Sequence, residues 1–279
     1  LDTRTMGFFD YLRVSKAPKL HVAIDKGVGH PVILLHGIAS SSVTFDNVVP
    51  LLGSHHRVIA IDLLGFGGSP TPASSGYTMQ EHVDALARTI RSLHLRGRIT
   101  LVGHSLGALI ATRYAAAHPA VLSHLILVSP PVYLPGKTVL DPVERLQMDA
   151  YRRIYDYLRS NRSFTEAGAK ALAALSPIKN AVEVTSKNWR AFSLSLEQCI
   201  ESQTTVSDLA QVRVPIDVLY GTRDPFLALV GLRVIGRMRG VATTKVEGVD
   251  HLIRVRLAQA IVAKIENPTP PTTLIRVIS

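Results

Sequence analysis

Ile99-Thr100-Leu101-Val102-Gly103-His104-Ser105-Leu106-Gly107-Ala108 is the stretch on which the fold turns. Ile99–Val102 reads as a short buried strand, and the residues from Ser105 to about Ala117 read as a helix that stops before Pro119. Between them stands G-x-S-x-G, Gly103 to Gly107. A chain that reverses sharply from strand to helix strains the central residue, and side chains two positions away on either side would collide. Glycine at 103 and 107 removes those collisions, and Ala108 is small as well. Such a turn lifts the serine hydroxyl clear of the sheet. The helix N-terminus that follows places partial positive charge where a tetrahedral oxyanion would form. Alone, G-x-S-x-G is a weak match; between a strand and a helix it is specific.

Outward from this turn, strand-like and helix-like stretches alternate. Strands are expected at Leu20–Ile24, Val32–Leu35, Val58–Ile61, Leu125–Val128, Ile216–Tyr220 and Ala242–Val246. Helices are expected at Phe45–Leu52, from Thr78 to about Leu93, around Leu227–Met238, and from about His251 to Lys264. Thr78 and Glu81 have the spacing of a capping box. This alternation predicts an α/β fold with a mostly parallel, twisted central sheet and helices on both faces. It lapses from residue 131 to residue 208. Helical stretches follow one another there (Val143–Arg159, Phe164–Leu175, Trp189–Val206), after prolines at 130, 131 and 135. The expected organisation is a body of residues 1–130 and 209–266, a helical lid insert at 131–208, and a tail at 267–279.

Five segments together resemble the α/β-hydrolase family: His36-Gly37, Asp62 to Ser69, the Ser105 motif, Gly221-Thr222-Arg223-Asp224, and His251. They run in family order over about residues 20–265 and are far more specific for fold than for substrate. The resemblance implies a serine nucleophile, Ser105, with an acid and then a histidine later in the chain. Asp224 follows the strand Ile216–Tyr220, where the fold places its site. The family's alternative acid position, after Leu125–Val128, reads Ser129-Pro130-Pro131 and offers no carboxylate.

His251 is the one of 11 histidines with the right order and loop. His55 and His56 flank Arg57 and read as solvated; His82, His94 and His118 read as surface residues of helices; His104 reads as a structural hydrogen-bonder within the turn. An oxyanion needs two N–H donors. Leu106, after the nucleophile, is one. The resemblance of His36-Gly37 to the family's oxyanion loop makes Ile38 the other.

The chain has 279 residues, 47% of them apolar and 19% charged, enough for a sizeable core and too few charges for disorder. Its net charge of +10 is spread along the chain, with no basic run of five, so a nucleic-acid platform is not expected. No apolar stretch reaches the roughly 20 residues of a membrane span, and Leu1–Met6 lacks a signal-peptide pattern. Cys199, the sole cysteine, permits no internal disulfide, which fits a reducing cytoplasm, and it reads as a small packing residue. Asp62–Ser69 lacks the spacing of a phosphate or dinucleotide loop, and no His or Cys cluster has metal-ligand spacing, so neither cofactor nor metal is expected.

The insert is nearly neutral and rich in aromatics, among them Tyr133, Tyr151, Tyr155, Tyr157, Phe164, Trp189 and Phe192. The expectation is therefore an acyl-enzyme hydrolase for carboxylic esters of small, largely apolar substrates. Carbon–carbon hydrolysis of ring-cleavage products uses the same triad, but that subgroup's Ser-Gly-rich oxyanion loop and its Trp after the histidine are Ile38-Ala39-Ser40 and Leu252 here. Cofactor-free perhydrolysis with small acids shares the triad, and a slow-turnover small-molecule receptor on the same fold is a further alternative.

Overall fold

In a computed structural model, residues 12–14, 16–53, 55–134, 141–175 and 182–269 are described. The start Leu1–Met6, Pro135 before the insert, and residues 270–279 of the tail lie outside them. Seven strands form one sheet: β1 (Val22–Lys26), β2 (His30–Leu35), β3 (His56–Ile61), β4 (Ile99–His104), β5 (Leu122–Val128), β6 (Ile216–Gly221) and β7 (Val241–Val246). Their order is β1-β3-β2-β4-β5-β6-β7, and every pairing except the antiparallel β1–β3 is parallel. The helices are α1 (Met79–Ser92), α2 (Leu106–Ala117), α3 (Pro142–Ser160), α4 (Arg162–Leu175), α5 (Trp189–Ser195), α6 (Thr205–Leu209), α7 (Leu229–Ile235) and α8 (Val255–Glu266).

Strand β2 shows why the sheet is covered on both faces. Val32, Ile33, Leu34 and Leu35 are all fully buried. Alternation along the strand sends Val32 and Leu34 to a core shared with Phe45, Val48 and the α8 residues Leu257 and Ile261. Ile33 and Leu35 go to the opposite core, with Leu86 and Ile90 of α1 and Leu109 and Ile110 of α2. Each such side chain contributes roughly 1.5–3 kcal/mol, which explains the near-continuous apolar runs of the inner strands. The capping box at α1 is present: the Thr78 hydroxyl accepts from the Glu81 N–H at 3.2 Å, and Glu81 accepts from the Thr78 N–H at 2.9 Å.

Three elements differ from expectation. Phe45–Leu52 is not one helix but two 3-10 turns, Ser42–Phe45 and Val49–Leu51, because Pro50 cannot donate to a continuing helix. Trp189–Val206 is broken into α5, a π-helical turn at Leu196–Glu201, and α6. That wider turn buries Leu196, Cys199 and Ile200, and a period of 3.6 residues does not register it. The last helix begins at Val255 rather than His251, because the Asp250 carboxylate accepts from the Leu252 N–H in a local turn that competes with helix.

Between β5 and β6 the regular elements among the described residues are helical. Their second half is part of the body core, where Ala191, Phe192, Leu196, Cys199 and Ile200 are buried against the sheet-side cluster. Thr269, expected in the tail, is bonded to the body: its hydroxyl donates to Asp217 at 2.7 Å.

Candidate active site

Ser105 sits just past β4 with φ 53° and ψ −119°, a strained left-handed conformation for a residue with a side chain. It is held there by its N–H, which donates to the Val128 carbonyl at 3.0 Å, and by its carbonyl, which accepts from Ala108 at 2.9 Å. A Cβ on Gly103 would lie 2.3 Å from the Gly107 carbonyl oxygen, and one on Gly107 would lie 2.4 Å from the carbonyl oxygens of both Leu35 and His36. Both glycines of the motif are thus dictated by backbone that already fills the space. Ala39 and Ser129, just past β2 and β5, also take positive φ. The chain leaving each of three neighbouring strands, β2, β4 and β5, therefore passes through a strained residue.

The loop after β6 is drawn onto the loop after β7 by two backbone bonds, Thr222 N–H to Val246 and Arg223 N–H to Val249. This brings Asp224 Oδ2 to 2.7 Å from His251 Nδ1. The other carboxylate oxygen accepts from the Phe226 N–H at 3.0 Å. The Asp224 side chain is 0% exposed and that of His251 17%. Burial alone would raise the Asp224 pKa, but the hydrogen bond and charge of His251, with the Phe226 N–H, outweigh it and hold the carboxyl below its ordinary value. Ionised Asp224 fixes Nδ1 as the protonated nitrogen and leaves Nε2 as the basic one. The Phe226 ring meets the His251 imidazole edge-on at 4.9 Å.

His104, expected to make a structural hydrogen bond, makes it to the other end of the site: its Nε2–H donates to the His251 carbonyl at 2.9 Å, and the two rings lie 4.8 Å apart. Burial pushes the His104 imidazole down to about 3, so it stays neutral. On the opposite side, a Cβ on Gly37 would stand 3.0 Å from the Ser105 Cβ, so the loop after β2 lies directly against the nucleophile turn. His36 braces that loop, donating from Nδ1 to the Gly37 carbonyl at 2.7 Å and accepting the Leu63 N–H at Nε2, 2.8 Å away. Gly37, the residue before Ile38, thus lies against Ser105, and Leu106 follows Ser105 as the first residue of α2. Asp250, next to His251, turns away to pair with Arg254 at 2.9 Å.

Two contacts reach the site from the helical segment. Tyr151 donates to the Pro225 carbonyl at 2.8 Å, and Tyr133 donates to the Phe226 carbonyl at 2.7 Å while meeting the Tyr155 hydroxyl at 2.5 Å. Aromatic content flagged these tyrosines, but nothing in the sequence marks the Pro225–Leu227 backbone as their partner. His56 and His82 correct the sequence reading: both are buried, and His82 Nε2 lies 3.1 Å from the Ser195 hydroxyl on α5. Cys199 is buried, its thiol pushed up to about 12 by desolvation, and it behaves as packing.

A strained serine at a strand–helix turn, beside a buried carboxylate–imidazole pair at the carboxyl edge of a parallel sheet, defines a protein of the nucleophile-elbow class. A family model described as the alpha/beta hydrolase fold matches residues 30–237, and the chain belongs to that family of enzymes. "Probable lysophospholipase BODYGUARD 3" of Arabidopsis thaliana is 41% identical to it over 106 residues, 37% of this chain and 21% of that protein. "Lipase 1" of Psychrobacter immobilis is 27% identical over 210 residues, 71% of this chain and 63% of the lipase. Both matches span less than two thirds of the relative's own length. An esterase (EaEST) from Exiguobacterium antarcticum shares the fold with a TM-score of 0.72 at 20% identity, over 90% of this chain and 99% of that one. No helix among the described residues is long and apolar enough to cross a membrane.

Proposed function

We propose that the chain is a serine hydrolase that cleaves carboxylic esters of small, largely apolar substrates through an acyl-enzyme. The observation that carries this reading is the 2.7 Å Asp224–His251 pair beside the strained Ser105 turn. Ser105 Oγ attacks the ester carbonyl as His251 Nε2 takes its proton, and Asp224 stabilises the imidazolium without itself being protonated. The N–H groups of Ile38 and Leu106 hold the oxyanion. Collapse of the tetrahedral intermediate releases the alcohol, which takes the proton from His251. Water then attacks the acyl-Ser105 carbonyl, giving a proton to His251, and the carboxylic acid leaves as Ser105 regains its hydrogen.

The helices α3 and α4 are read as the lid of this site; α3 rests on the loop that carries Asp224 through Tyr151, and its Tyr155 meets Tyr133, which binds the same loop. The later part of the 131–208 segment is read as support for the body, since Ala191, Phe192, Leu196, Cys199 and Ile200 are buried in its core.

The test is hydrolysis of p-nitrophenyl esters of increasing acyl length by the native chain and by Ser105→Ala. Turnover that is lost in the variant and peaks at short or medium length is expected. Absence of turnover at every length, or full activity in Ser105→Ala, would overturn the reading.

A further inference from the structure

At the opposite edge of the sheet from Ser105, two histidines and a carboxylate converge. His56 is the first residue of β3, His55 precedes it, and Glu266 is the last residue of α8, 211 positions beyond His55. His55 Nε2 lies 3.0 Å from Glu266 Oε2, and His56 Nδ1 lies 3.5 Å from Glu266 Oε1. The donor atoms of all three fall within 4.8 Å of one another. With metal–ligand bonds of 2.0–2.1 Å, the edge of a tetrahedral zinc site is about 3.3 Å; the 3.0 and 3.5 Å contacts to Glu266 match such an edge, and the exposed His55 ring is the member that would move to close the set.

We propose that His55, His56 and Glu266 form a site for a divalent transition-metal ion of the zinc class. His56 is 5% exposed, and its Nδ1 is buried without a hydrogen-bond partner although it points at the carboxylate. A buried polar atom in that state is costly, and a metal would satisfy it. The His55 ring packs over Gly53, where a Cβ would stand 2.7 Å from it. Imidazole and carboxylate donors favour zinc over calcium or magnesium, which take all-oxygen sets. His55, 66% exposed, opens the fourth position to water. The ion would tie the end of α8 to the start of β3. Strands of six residues span roughly 20 Å, so the site is remote from Ser105 and does not depend on the reaction assigned there.

The experiment loads the untagged, chelator-stripped chain with Co2+ and compares it with His55→Gln and Glu266→Gln, both at exposed or half-exposed positions whose replacement leaves the core intact. One bound equivalent is expected, with the intense visible bands of tetrahedral cobalt, and each variant should loosen binding by more than about 100-fold. Zn2+ at saturation should raise the melting midpoint of the native chain by a few degrees and leave both variants unmoved. His94→Gln, on an exposed position outside the cluster, should bind like the native chain. Retention of no Co2+ by the native chain, or equal retention by both variants, overturns the proposal.

Discussion

His104 and His251 are joined backbone to side chain: the His104 Nε2–H donates to the His251 carbonyl at 2.9 Å, and the rings tilt against each other at 4.8 Å. The residue before Ser105 thus holds the main chain of His251, which links the two ends of the site through one buried, neutral imidazole. His104→Phe keeps the volume and loses the bond. A hydrogen bond is worth about 1 kcal/mol, so kcat for a p-nitrophenyl ester should fall about 5- to 10-fold with KM nearly unchanged. His104→Gln, whose amide can still donate, should recover part of the loss. Equal kcat in His104→Phe and the native chain would show that the bond serves only packing.

The Asp224 carboxyl is buried and anionic, and it accepts from His251 and from the Phe226 N–H. Asp224→Asn keeps the shape but presents an amide that favours the wrong imidazole tautomer. A fall in kcat of about 10³- to 10⁴-fold is expected, as for the analogous change in serine proteases, with the melting midpoint little altered. A loss below about tenfold in steady-state assays would remove Asp224 from the triad.

The nucleophile turn was legible because its constraints are local: Gly103 and Gly107 are required by backbone within a few ångströms, and the motif states that requirement in five consecutive residues. The order of Asp224 and His251 was legible for a similar reason, since each follows a recognisable strand. Contacts that join distant loops were not. Nothing in local pattern ties His104 to the His251 carbonyl or Tyr151 to Pro225, 74 positions away. His82 was misread because α1 is packed on two sides, by the sheet and by Ser195 of α5, so a polar position on the helix becomes interior. His56 was misread because the Glu266 carboxylate it faces belongs to the last helix.

Burial holds His36 and His82 down to about 4 and His104 to about 3. In the unfolded chain these rings titrate near 6.5. Below that pH the unfolded state binds protons that the folded state refuses, so stability falls as pH drops from about 6.5 towards 4. By pH 5 each buried ring should cost about 2 kcal/mol relative to pH 7. The carboxylates held low, Asp62 and Asp224, act in the same direction only further down, where they become protonated in the unfolded chain first. Urea unfolding at pH 7 and pH 5 measures the difference, and His82→Gln should reduce the slope by about one proton. Equal stability at the two pH values would mean that these histidines do not stay neutral in the fold.

Tyr133 donates to the Phe226 carbonyl of the acid loop and Tyr151 to the carbonyls on either side of it, and burial raises the pKa of both hydroxyls, so both remain donors. The two replacements should differ. Tyr151→Phe removes bonds to the Pro225 and Leu227 carbonyls but leaves no buried hydroxyl without its partner, and should cost about 1 kcal/mol. Tyr133→Phe leaves the Phe226 carbonyl and the Tyr155 hydroxyl without their shared partner, and should cost about 1–3 kcal/mol of stability and lower kcat more than KM. Adding Tyr155→Phe to Tyr133→Phe removes one of the stranded groups, so the double variant should be less destabilised than the sum of the singles, with a coupling of at least about 0.5 kcal/mol. Strict additivity in that cycle, together with unchanged kcat in Tyr133→Phe, would mean that the helices rest on the acid loop without positioning it.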